Sequence, residues 1–123
     1  MKLFFDGGCK PNPGKMECAV VSQDGSIKTH QSLHHGTNNE AEWIGFLLAV
    51  EIARQFKDEP IEILGDSKLV ISQAEGLWKV NVPALAVFRD EFAIMRKEFK
   101  SLKLTHVRRH LNLAGIYIEA IHG

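Results

Sequence analysis

Pro60-Ile61-Glu62-Ile63-Leu64-Gly65-Asp66-Ser67 is a short apolar run closed by a glycine, an acid and a serine suited to capping a helix. It reads as a buried strand over Pro60–Leu64, followed by a helix that starts after Ser67 and runs to about Glu75. The pattern has an echo at the N-terminus, where Leu3 to Phe5 form a short buried strand and Asp6 ends it. If the two strands are parallel neighbours, Asp6 and Asp66 stand side by side at the carboxyl edge of a sheet, where open α/β sheets bind ligands.

Between these strands, Gly7-Gly8 and Pro11-Asn12-Pro13-Gly14 read as a loop of turn-forming residues. Strands follow over 16–22 and 27–33, joined through Asp24-Gly25, a dipeptide favoured in two-residue hairpin turns. A long helix is predicted from Asn38 to Phe56, capped by Thr37 or Asn38. Beyond the second buried strand, an amphipathic helix over 83–99 opens at Pro83, a strand spans 102–107, and a last helix begins near Asn112. Three antiparallel strands followed by strands separated by helices imply an α/β fold, a mixed five-stranded sheet with helices on both faces. The last helix is weakly encoded, because Gly115 and the β-branched Ile116 and Ile118 are poor helix formers, so a frayed end or a strand extension is the alternative there.

Length fits a single domain over residues 1–123, since domains commonly run about 100–200 residues. With 45% hydrophobic residues the chain can build a core, and its 15 basic residues cancel its 15 acidic ones, unlike a disordered chain. No apolar run reaches the roughly 18 residues of a membrane span, and the N-terminal apolar stretch is too short for a signal peptide, so a cytoplasmic protein with no membrane partner is expected. Cys9 and Cys18 are expected as free thiols, and the six histidines are not spaced against them as zinc ligands. From Lys79 to Arg109 there are eight Lys or Arg against three acids, either a basic surface or an ordinary solvated helix face.

Glu42 shares a face of the long helix with Gly45, Ala49, Ile52 and Phe56, small and apolar residues that should pack on the sheet. A carboxylate there is costly to bury without a compensating cation, and no Lys or Arg lies one turn away on that face. Taken singly, Asp6 and Asp66 also read as turn or cap residues, and Glu42 as a first-turn acid favoured by the helix dipole. Together they read as oxygen ligands for Mg²⁺ or Mn²⁺, and paired hard cations suit in-line attack of water on a phosphodiester.

Phe5-Asp6-Gly7-Gly8-Cys9 with Asn12-Pro13-Gly14, then Thr37-Asn38-Asn39-Glu40-Ala41-Glu42, then Gly65-Asp66-Ser67 with Gln73 and Gly76-Leu77-Trp78-Lys79-Val80, resemble type 1 ribonuclease H in order and spacing. The resemblance implies a ribonuclease H-like fold with sheet order 3-2-1-4-5. It implies a monomeric endonuclease that cuts the RNA strand of RNA/DNA hybrids with two Mg²⁺ ions, Mn²⁺ substituting, and leaves 5′-phosphate and 3′-hydroxyl ends. Asp6 would bridge both ions, with Glu42 and Asp66 completing the ion on the leaving-group side. Cys9, Asn12, Asn38 and Asn39 would lie in the minor groove of the hybrid, where only RNA offers a 2′-hydroxyl. Thr37 would help hold a DNA phosphate, and Gln73, Trp78 and Lys79 would lie on the nucleic-acid side. His110 would assist proton transfer or product release, and His34-His35 are candidates for a phosphate contact.

One position departs from the family. Its fourth acidic ligand falls in a segment of the form Asn-x-x-Ala-Asp, which here reads Asn112-Leu113-Ala114-Gly115. Glycine offers no side-chain ligand atom, and the resemblance implies that the missing ligand serves the ion that activates the attacking water. Glu119, one turn on, or the Asn112 amide are candidates to replace it. A reduced nuclease is the expectation; the alternative is a catalytically silent module that still binds hybrids.

Overall fold

A computed structural model describes residues Met1–Gly123. Five strands, β1 (Lys2–Cys9), β2 (Gly14–Ser22), β3 (Lys28–Gly36), β4 (Pro60–Gly65) and β5 (Ser101–His106), form one sheet in the order β3-β2-β1-β4-β5. The helices are α1 (Asn38–Ala53), α2 (Lys68–Ala74), α3 (Pro83–Arg96) and α4 (Leu113–His122). Strand β1 lies at the centre, antiparallel to β2 and parallel to β4, and β4 is parallel to β5. This is the α/β topology expected from the sequence.

Strand alternation sends neighbouring residues of β1 into two separate cores. Leu3 and Phe5 join Val20, Ile61 and Ile63 beneath α1, α2 and α3, where Trp43, Phe46, Val50, Val70, Leu85 and Phe92 close the main core. Edge-to-face contacts at 5.3 Å between Phe5 and Phe46, and 4.8 Å between Phe46 and Phe92, tie the central strand to α1 and α3. On the other face Phe4, Ala19, Val21 and Leu64 pack against Ala114, Leu113, Tyr117 and Ile118 of α4. That packing, with an Asn112 cap whose side chain accepts from the Ala114 N–H at 3.1 Å, holds α4 helical despite its weak propensity.

Two local expectations fail. Gly7 and Gly8 are not loop residues: they continue β1 opposite Cys18 and Glu17. A Cβ on Gly7 would collide with the Ala41 carbonyl, so this glycine marks where α1 crosses the strand at close range. Gly45 makes the reciprocal contact, its missing Cβ within 2.7 Å of the Asp6 carbonyl oxygen. The β2–β3 turn is also longer than two residues: the Ser22 N–H donates to the Ile27 carbonyl at 2.8 Å, and Asp24 organises the loop by accepting from Ser22 Oγ and the Ser26 N–H.

Candidate active site

Lys2, Leu3 and Phe4 of β1 stand opposite Glu62, Ile63 and Leu64 of β4, and continuing that register sets Asp6 opposite Asp66. Glu42 arrives from the first turns of α1, which the glycine contacts hold against β1. The three half-buried carboxylates converge: their oxygens lie within 4.8 Å of one another. Burial, reinforced by Asp66 and Glu42, pushes the Asp6 carboxyl up to about 7. Burial also raises Glu42, against the opposing effects of the Ser67 hydroxyl and the Arg109 charge. An arrangement this unfavourable for three anions fits hard, oxygen-ligated divalent cations, which would offset the repulsion directly.

Gly115 sits over this cluster. A Cβ on it would stand 3.2 Å from Asp6 Oδ2 and 3.8 Å from its Cγ, so a side chain at 115 would enter the site beside Asp6. Of the two proposed replacements, Asn112 is excluded. It is fully buried, its Nδ2 donates to the Phe5 carbonyl at 2.9 Å, and its Oδ1 is taken by the Ala114 N–H. Glu119 lines the same groove but lies outside the 4.8 Å cluster.

The groove, about 1520 Å³, runs from these acids between α4 and strands β2 and β3, and Cys9, Asn12, Asn38 and His110 line it. The first three are knitted together: the Cys9 N–H donates to Asn38 Oδ1 at 2.9 Å and the Asn38 N–H to Asn12 Oδ1 at 3.1 Å. Both amide oxygens are thus taken inside the protein, which leaves the NH₂ groups as the donors available to a ligand. Thr37 and Asn39 are exposed beside them at the start of α1. Thr37 caps that helix, accepting from the Glu40 N–H at 3.2 Å.

Gln73 requires a correction. It is 5% exposed, accepts from the Trp43 indole at 2.9 Å and donates to the Lys79 carbonyl at 3.2 Å. Both ends are used inside the protein, so it anchors the segment after α2 rather than offering itself to nucleic acid. Trp78, in that segment, is 45% exposed and outside the groove around Asp6. In the sequence Arg109 is only one charge of a basic stretch. It lines the groove and acts electrostatically on both Asp6 and Glu42. No spacing rule points to it, because it reaches the site through the 3₁₀ turn that joins β5 to α4.

A family model described as reverse transcriptase-like matches residues 4–116. Ribonuclease HI of Halobacterium salinarum is 35% identical over 113 residues, 89% of this chain and 57% of that protein. The bifunctional protein Rv2228c of Mycobacterium tuberculosis is 30% identical over 112 residues, 87% of this chain and 31% of its own length. This chain therefore spans between 31% and 57% of the length of those relatives. The crystal structure of the Halobacterium salinarum ribonuclease H1 superposes with a TM-score of 0.84 at 32% identity, covering 98% of this chain and 96% of that one. LC11 ribonuclease H1, solved in complex with an RNA/DNA hybrid, superposes at 0.79 with 26% identity, covering 91% and 88%.

Proposed function

This chain belongs to the type 1 ribonuclease H family, and on that premise we propose that it hydrolyses the RNA strand of RNA/DNA hybrids, leaving 5′-phosphate and 3′-hydroxyl ends. The observation that carries the reading is the meeting of Asp6, Glu42 and Asp66 within 4.8 Å at the carboxyl edge of the sheet. Asp6 would be shared by two Mg²⁺ ions, or Mn²⁺ in their place, with Glu42 and Asp66 holding the ion on the leaving-group side. When bound, such ions supply an activated water and charge for the departing oxygen.

The other groups are placed for substrate. The free NH₂ groups of Asn12 and Asn38 suit 2′-hydroxyl recognition in a minor groove, with Cys9 fixing the loop that carries Asn12. Thr37 and Asn39, exposed at the start of α1, suit a backbone phosphate and the next sugar, and Trp78 a more distant backbone contact. His110, exposed in the 3₁₀ turn, is free to move a proton at the leaving oxygen or to ease product release. Arg109 brings a fixed positive charge to the side of the acids where a phosphate would lie. We place the activity in a single domain, acting as a monomer.

Gly115 removes one ligand and favours a second reading, a module that grips hybrids without cutting them. A hybrid carrying end-labelled RNA separates the two in Mg²⁺ and in Mn²⁺. Fragments with 5′-phosphate ends support the nuclease, with greater yield in Mn²⁺. A hybrid bound but intact in both metals supports the silent module.

A further inference from the structure

Away from the acids, the same groove holds a second constellation. Glu17 on β2 meets His30 on β3, Nε2 to Oε1 at 2.7 Å, and His122 on the last turn of α4, Nε2 to Oε1 and Oε2 at 2.8 and 2.7 Å. The three side chains come from three elements, and His122 lies 105 residues from Glu17. Glu17 and His30 share the sheet face that α4 covers, since His30 pairs with Ala19, two residues on from Glu17. Burial alone would raise the Glu17 carboxyl, yet hydrogen bonds from the two imidazoles hold it below its ordinary value. Glu119, three residues before His122 on α4, also lines the groove. Glu-x-x-His at this spacing puts both side chains on one helix face, the arrangement helices use to present metal ligands.

We propose that Glu17, His30 and His122, with Glu119 beside them, form a binding site for a borderline divalent cation such as Zn²⁺, separate from the three-carboxylate centre. Mixed imidazole and carboxylate donors select Zn²⁺, Ni²⁺ or Co²⁺ over Mg²⁺, whereas the all-carboxylate cluster suits harder ions. Each imidazole nitrogen already sits against the carboxylate. Drawing the two onto one ion requires a movement that His122, 60% exposed at the end of its helix, can make. An ion held there would fasten the last turn of α4 to β2 and β3, and α4 is the helix that sets Gly115 over Asp6.

The inference is independent of the hydrolytic reading, and calorimetric titration of the whole chain with Zn²⁺ tests it. In the Asp6→Asn protein, which weakens the carboxylate centre, one Zn²⁺ should still bind. His122→Ala or His30→Gln added to that background should weaken binding by more than about 100-fold, beyond the usual effect of losing a supporting contact. Zn²⁺ should also raise the melting temperature of Asp6→Asn and leave that of the His122→Ala double variant unchanged. Zn²⁺ affinity lost with Asp6 and indifferent to His122 and His30 would overturn the proposal. So would an affinity that follows His34 and His35 instead, or no binding at all.

Discussion

Asp6 shows what one residue does to the whole chain. Its carboxyl titrates near 7 when folded and near its ordinary 3.8 when unfolded, so between those values the folded protein holds a proton that the unfolded chain releases. Stability without metal therefore falls as pH rises from about 4 to about 7, by up to about 4 kcal/mol, and the raised Glu42 acts in the same direction. Urea midpoints in EDTA should drop between pH 5 and pH 8 for the parent and drop clearly less for Asp6→Asn, which keeps only the Glu42 contribution and should be the more stable protein at pH 8. Gly115 gives the complementary case. Gly115→Asp sets a Cβ 3.2 Å from Asp6 Oδ2, so Asp6 must shift by a few tenths of an ångström while the site gains its fourth carboxylate. The variant should cleave faster than the parent, melt lower in EDTA, and recover more on adding Mg²⁺, as rates and melting curves with and without metal will show. The three acids were legible as candidate ligands because each stands where a carboxylate is costly: Asp6 within the apolar β1, Asp66 directly after β4, and Glu42 in the early turns of α1 that pack on the sheet. Arg109 was not, because a lone arginine in a basic stretch has no periodicity to betray it.

Asn112 shows how an element is tied to the site. It caps α4 through Oδ1 and reaches back through Nδ2 to the carbonyl of Phe5, the residue before Asp6. Asn112→Ala would leave a buried carbonyl without its donor and α4 without its cap, a loss of about 2–4 kcal/mol from the two effects together. Melting should show that loss, and cleavage should fall with it because α4 and the end of β1 are held together there. Element order was readable from the apolar runs and the caps at Thr37, Ser67 and Asn112, which the structure confirms. The glycines misled: Gly7-Gly8 carries the composition of a turn, yet the two residues stay in the strand because a helix crosses it there. Nothing local distinguishes the two uses. Gln73 misled in another way, since a motif names a residue without saying whether its amide faces solvent or, as here, spans Trp43 and Lys79 inside the fold.

At the scale of the molecule, β1 does two tasks at once. Its odd residues, Leu3 and Phe5, anchor the main core, while its even ones, Phe4 and Asp6, face α4 and the groove. The carboxylate is thus held by the central strand of the sheet, and a substitution that keeps its shape should leave the fold standing. That makes Asp6→Asn the sharpest probe of the claim that this groove is a hydrolytic centre. Single-turnover cleavage of a hybrid with labelled RNA, run with parent and Asp6→Asn in Mn²⁺, measures it directly. The account predicts that the variant binds the hybrid as the parent does and cuts it at least about 1000-fold more slowly, each factor of ten being about 1.4 kcal/mol of barrier. A variant that cuts as fast as the parent would contradict it.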